Sequence, residues 1–172
     1  MKRGACKIAL HLAILTGLLL LSLAGGPVAA AAQDGSRYTI PAGLSRLTPA
    51  EQWVLERVGA GGVADLRERF GEKEEARTIR GRFVEALLTD GFPGFKVHRS
   101  GIYLLNAIIP DPVSLAFGVV EHPVFLVGCH FRQLVDCGGS HFKKNLALMK
   151  SVFEQRTNFY RLKVELDAFF GE

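Results

Sequence analysis

Four residues in one short stretch carry the chemistry of a metal site. Cys129, His130, Cys137 and His141 bring together two thiols and two imidazoles, a donor set that can hold zinc. Their spacing does not follow the usual C-x2–4-C and H-x3–5-H pairs. His130 and His141 stand eleven apart, and eleven is the period of the whole C-terminal half of the chain.

Written in lines of eleven, the stretch from Ile102 to Phe170 falls into columns. One holds Ile102, Val113, Val124, Val135, Leu146, Thr157 and Ala168. Two residues on stand Leu104, Leu115, Leu126, Cys137, Leu148, Phe159 and Phe170. Three further on come Ala107, Gly118, Cys129, Ser140, Ser151 and Leu162, and two beyond those Ile109, Val120, Phe131, Phe142, Phe153 and Val164. A fixed period with small or apolar residues in the same slots marks stacked units, each too short to bury its own apolar face. The steps of two are strand alternation, and the odd steps are corners. An eleven-residue helical repeat would wind as a right-handed supercoil, but Pro110, Pro112, Pro123 and the Gly138-Gly139 pair interrupt it. The columns predict rungs. If two elevens make one coil, Leu104, Leu126, Leu148 and Phe170 lie over one another, as do Ile109, Phe131 and Phe153, and Val120, Phe142 and Val164. The bolder form of the expectation sets residues only eleven apart on top of one another.

This pattern settles the reading of the Cys/His cluster. Cys129 and Cys137 occupy inward columns and His130 and His141 fall between them, so the imidazoles point outward and cannot meet the thiols at one metal. The cysteines read as small apolar core residues. A Cys129–Cys137 disulfide is the alternative, provided that the Cα atoms approach within about 7 Å. No metal, cofactor or catalytic group is expected.

One small and one large inward residue, as in Cys129 with Phe131, Ser140 with Phe142 and Ser151 with Phe153, resembles the pentapeptide-repeat family. That resemblance implies a right-handed quadrilateral β-helix. The chain departs from the family by carrying one extra residue in every second unit, by placing Val, Ile or Leu in half of the small slots, and by lacking the usual Asp or Asn between them. It is similar to a degenerate, eleven-residue variant. The expected fold class is therefore a mainly β solenoid of about three coils, behind an N-terminal α-helical cap.

The elements that precede the solenoid follow from local signals. Lys2, Arg3 and Lys7 lead an apolar run from Ile8 to Ala24, and a Gly25-Gly26-Pro27 break precedes several alanines. Residues 1–32 thus have the layout of a signal peptide, which implies a periplasmic or secreted protein; an uncleaved anchor in the inner membrane is the alternative. The +4 net charge is concentrated there. Without those three residues the chain has 18 basic and 17 acidic residues, no footprint for nucleic acid. Residues 33–47 read as a loose linker. Residues 48–91 read as the cap: Thr48-Pro49-Ala50-Glu51 has a capping box with proline at the first helical position, and a second helix is expected from Glu74 to Thr89. On it, Ile79, Phe83 and Leu87 would cover the first coil. Residues 92–172 form the repeat region. Its inward residues are Leu104, Ile109, Leu115, Val120, Leu126, Phe131, Cys137, Phe142, Leu148, Phe153 and Phe159.

No G-x-S-x-G, nucleotide loop or H-E-x-x-H is present, and Asp111, Glu121, Asp136 and Glu154 are dispersed along the repeat. The expected function is that of an exported, non-catalytic module that meets a protein or envelope component. A fragment of a β-helix carbohydrate-active enzyme, or a truncated product without its own function, is the alternative. No capping signal follows Phe170, so end-to-end pairing of two copies through the last coil is a further expectation.

Overall fold

The computed structural model describes residues 38–171; the expected export segment lies outside them. The repeat region forms a β-solenoid of about three coils with four walls. The first wall is built by β2 (Ile102–Leu105), β6 (Val124–Val127), β10 (Leu146–Ala147) and β14 (Ala168–Phe169). The second holds β3 (Ile108–Ile109), β7 (His130–Phe131) and β11 (Val152–Phe153). The third holds β4 (Val113–Ser114), β8 (Val135–Asp136) and β12 (Thr157–Asn158), and the fourth β5 (Val119–Val120), β9 (His141–Phe142) and β13 (Lys163–Val164). All pairing is parallel.

The register decides between the two forms of the rung expectation. Ile109, Phe131 and Phe153 pair directly, as do Val120, Phe142 and Val164. Stacked residues are 22 apart, and those eleven apart lie on different walls. The expectation that residues eleven apart stack is corrected accordingly: Phe131 lies on Phe153, ring centroids 4.9 Å apart and planes within 4°, while Phe142 belongs to the fourth wall. The physical reason is the number of corners. Eleven residues turn the chain through two corners, and four are needed to return it to its own edge.

Those corners are of two kinds. Asn106, Phe117, Gly128, Gly139, Lys150 and Arg161, each eleven after the last, have φ of 58°, 57°, 62°, 67°, 54° and 57°. One left-handed residue thus turns every second corner tightly. The other corners are wide, with three residues between inward slots, as in Pro110-Asp111-Pro112 and Glu121-His122-Pro123. The wide corner absorbs the residue by which eleven exceeds two fives. Leu104, Ile109, Leu115, Val120, Leu126, Phe131, Cys137, Phe142 and Leu148 are all buried. Phe153 and Phe159, in the last coil, are only partly so.

The cap answers a backbone problem. The first coil would otherwise present unpaired N–H and C=O groups and an open apolar end. Strand β1 (Ala64–Asp65) pairs with β2. Thr78 bridges Ile108, and Ile79 N donates to Ile108 O at 3.0 Å. Arg77 Nη1 donates to Asn106 O at 2.8 Å, and Ser114 N donates to Glu85 Oε1 at 2.5 Å. Helix α1 (Pro49–Gly59) begins with the expected capping box: Thr48 N donates to Glu51 Oε2 at 2.9 Å and Glu51 N to Thr48 Oγ1 at 3.2 Å. A short α2 (Leu66–Phe70) follows β1, with Asp65 as its N-cap.

Two expectations about the cap are corrected. The helix read from Glu74 to Thr89 is a 3-10 turn, Glu74–Arg77, an extended segment, and α3, Gly81–Leu88. The exposed edge of β3 competes for the backbone of Thr78 and Ile79 and wins it from the helix. Ile79, Phe83 and Leu87 are all buried, but Ile79 covers the coil from an extended strand-like segment rather than from a helix face. Gly81 lets α3 sit close, since a Cβ there would stand 2.0 Å from Pro112 O. Residues 38–47, read as linker, are packed: Leu44 is buried, Thr39 N donates to Pro93 O, and Tyr38 meets Phe92 and Phe95 edge-on. Their apolar residues are too few and too irregular to show periodicity. Among the described residues no helix is long and apolar enough to cross a membrane.

Glu51 also ties the cap together. Its side chain is fully buried, and Arg80 donates to it through Nε at 2.8 Å, Nη2 at 2.5 Å and backbone N at 3.0 Å. Burial alone would raise its pKa. The hydrogen bonds from Arg80 and Thr48, with the Arg80 charge, outweigh that and hold it below its ordinary value of 4.5.

Three outcomes are expected. Phe83→Glu should destabilise the fold by roughly 3 kcal/mol or more and aggregate on refolding, checked by urea unfolding and light scattering. Lys150→Gly should raise stability by up to about 1 kcal/mol, because only glycine holds φ 54° without a Cβ clash. The depressed Glu51 carboxyl stabilises the fold fully above pH 4.5, and that contribution is lost as pH falls through its lowered native value; urea midpoints over a pH series should show this loss in the native chain and not in Glu51→Gln.

Candidate functional site: an apolar outer wall and an open last coil

The residues first suspected of chemistry do not converge. Cys129 and Cys137 are free, buried thiols. Burial pushes both up to about 12, so neither is a thiolate near neutral pH. Cys129 Sγ donates to Leu104 O at 3.5 Å. His130 and His141 point out from the second and fourth walls, and each meets a carboxylate one coil on: His130 Nε2 lies 2.6 Å from Glu154 Oε1, and His141 Nε2 lies 2.8 Å from Glu165 Oε1. Among the described residues no cluster of three or more His, Cys, Asp or Glu side chains could hold a metal ion.

Comparable rung-to-rung pairs recur on these polar walls. Lys143 Nζ stands 2.7 Å from Glu121 Oε1, and Asn158 Nδ2 donates to Asp136 Oδ1 at 2.8 Å. Exposed pairs of this kind contribute little to stability. They line the other three walls, two of which also expose a single valine, Val152 and Val119.

The first wall differs. Its strands, with the residues that follow β10 and β14, read Ile102-Tyr103-Leu104-Leu105, Val124-Phe125-Leu126-Val127, Leu146-Ala147-Leu148-Met149 and Ala168-Phe169-Phe170, apolar at every position. Ile102, Leu104 and their equivalents fill the core. The alternate residues must then face outward, so Tyr103, Phe125, Ala147 and Phe169 form one outer column in register. Leu105 and Val127 form another, which Met149 continues one coil on. Tyr103 stacks on Phe125, centroids 4.4 Å apart and planes within 7°. Ala147 is shielded, while Met149 is 38% and Phe169 45% exposed. No outward charge interrupts either column between Tyr103 and Phe169.

Continuous apolar runs of three or four, repeated every 22 residues, are the signal that could have found this wall. A strand covered on one face alternates; one meant to be covered on both does not. The inward columns draw attention first because they recur every eleven, at twice the frequency.

The last coil adjoins the wall. Strands β11, β12, β13 and β14 are each the final strand of their sheet, with one paired side among the described residues. Leu166, Phe169 and Phe170 are 45–56% exposed beside them. Together they make an apolar edge with free backbone donors and acceptors, a template for strand addition.

Comparison with known proteins adds no relative: no family model, no curated protein and no solved structure matches the chain. The architecture is compatible with a β-helix repeat fold, and the site stands on its own geometry.

Proposed function

We propose that this chain is an exported, non-catalytic interaction module, which docks a protein or envelope component on its first wall. One observation carries the proposal: Tyr103, Leu105, Phe125, Val127, Met149 and Phe169 face outward on a wall without charge, whereas the other walls are laced with polar pairs. Tyr103, Leu105, Phe125 and Val127 are half-buried and Met149 and Phe169 are exposed, and a contiguous apolar surface of this sort marks an interaction face. The wall is rigid, because β2, β6 and β10 are each held in register from both sides, and a rigid face loses little entropy on docking. Export rests on Lys2, Arg3, Lys7 and the apolar run from Ile8 to Ala24. The solenoid is proposed to be a degenerate variant of the pentapeptide-repeat β-helix, supported by its four walls and its paired small and large inward residues.

The last coil is proposed to pair with a second copy, end to end. A wall four strands deep at about 4.8 Å per strand is small beside the roughly 800 Å² per partner of a stable interface. The two sites are therefore complementary: the end joins copies and the wall receives the partner.

Site-specific photo-crosslinking in cells tests the reading. A crosslinker at Phe125 or Met149 should yield adducts, and one at His141 or Lys163 on the fourth wall should not; equal yields from both walls would overturn it. Sedimentation of the chain from residue 33 onward should give a dimer that Phe169→Asp dissociates, and a monomer at all concentrations would remove the end-to-end pairing.

A further inference from the structure

A second surface stands apart from the apolar wall, at the tight corner between the third and fourth walls. Three coils meet there. Phe117 projects from the first, Gly138 and Gly139 lie in the second, and Tyr160 and Arg161 project from the third. They enclose a recess of about 170 Å³. Phe117 is 85% exposed and Tyr160 68% exposed, the two most exposed large apolar side chains among the described residues.

The recess is made by what the glycines leave out. A Cβ on Gly139 would stand 2.8 Å from the Phe117 ring, and one on Gly138 would stand 2.7 Å from Asn158 Nδ2. Side chains at the middle rung would therefore fill the floor and push both flanks away. The flanks are held by polar contacts of their own. Asp136 Oδ1 accepts from Gly138 N and from Asn158 Nδ2, both at 2.8 Å, and Asn158 Oδ1 accepts from Tyr160 N at 3.0 Å. These bonds engage one Asp136 oxygen. The Arg161 guanidinium rests on the Tyr160 ring, 5.2 Å from its centroid, with no carboxylate of the described residues within ion-pair distance.

Phe117 and Arg161 both adopt left-handed backbone, with φ of 57°, at a cost of roughly 1–2 kcal/mol each. Packing returns little of that cost for Phe117, whose ring touches Gly139 and is otherwise exposed. Glycine occupies the same corner one coil away and carries no such strain. An aromatic residue held outward at a strained corner, over a glycine floor, calls for a use in binding.

From this corner we infer a saccharide-binding site, which takes one hexopyranose unit of a neutral polysaccharide. The chemistry of the lining favours a sugar over other occupants. A pyranose offers a face of C–H groups with positive partial charge, which suits the negative face of an aromatic ring. Its rim of hydroxyls needs both donors and acceptors. Here the uncommitted Asp136 oxygen accepts, and the Arg161 guanidinium and the Asn158 amide donate. Drug-sized ligands take pockets of about 300 Å³ or more, so the recess suits a single ring of a chain that continues along the solvent-facing corner. The mixture of an open carboxylate and a guanidinium gives no preference for a strongly charged ligand.

Isothermal titration of the chain from residue 33 onward with cellohexaose, chitohexaose and maltohexaose tests the assignment. At least one should bind saturably at micromolar to millimolar concentration. Phe117→Gly, which relieves strain and so should fold at least as well as the native chain, should weaken binding about tenfold or more, a loss of the size expected from removing one stacked ring. Tyr160→Ala should do the same, and Phe125→Asp on the first wall should leave sugar affinity unchanged. Thermal unfolding of each variant separates lost binding from lost fold. If none of the three sugars binds, if Phe117→Gly binds as tightly as the native chain, or if a purine nucleotide or a proline-rich peptide binds there in their place, the assignment is overturned.

Discussion

The structure depends on one geometric constraint: the chain must return to its own edge after 22 residues, so that every backbone group meets its equivalent one coil on. Parallel pairing in register then follows on four walls at once. A slip of one residue within a strand would exchange its inward and outward side chains. The constraint is met by alternating two kinds of corner, a tight one turned by a single left-handed residue and a wide one of three residues. The small, Leu and Phe columns fill whatever interior the corners enclose.

A parallel solenoid has two ends, and this chain treats them differently. At the first end, β1, the Thr78–Ile79 segment, Arg77 and Glu85 each satisfy backbone groups that the coil leaves unpaired. The buried Glu51–Arg80 pair holds α1 against the entry to α3, so that these pieces act together. At the other end the strands β11 to β14 have one paired side among the described residues, beside exposed Phe169 and Phe170. The asymmetry is chemical as well as structural. One end is sealed by specific hydrogen bonds, and the other, among the described residues, carries exposed apolar side chains.

The walls divide the same way. Three carry outward His, Glu, Lys, Asp and Asn side chains that bond from rung to rung, and one carries stacked aromatics and aliphatics. The division sets the apolar surface on one wall and the Phe117–Tyr160 recess at a corner that does not border it. Each site draws on the solenoid's rigidity: residues 22 apart in sequence become neighbours about 4.8 Å apart, so a short motif repeated twice becomes an array.

Composition and period alone determined a good deal. The small and large residues at spacings of two, three, two and four specify strands and corners, because only a pleated strand puts i and i+2 on one face. They specify that Cys129 and Cys137 are core and that His130 and His141 face away. The capping box at Thr48 and Glu51 is equally legible, since it needs only local bonds. Tertiary structure decided the rest. The corner column reads Asn106, Phe117, Gly128, Gly139, Lys150, Arg161, and only half of it is glycine or asparagine, so no residue type announces its left-handed backbone. Thr78 and Ile79 have the helical spacing of their neighbours, and they leave the helix only because the edge of β3 lies beside them. Which walls stack, and hence which outward residues join into a surface, depends on how many corners close a coil, a property of the closed ring that no single repeat contains.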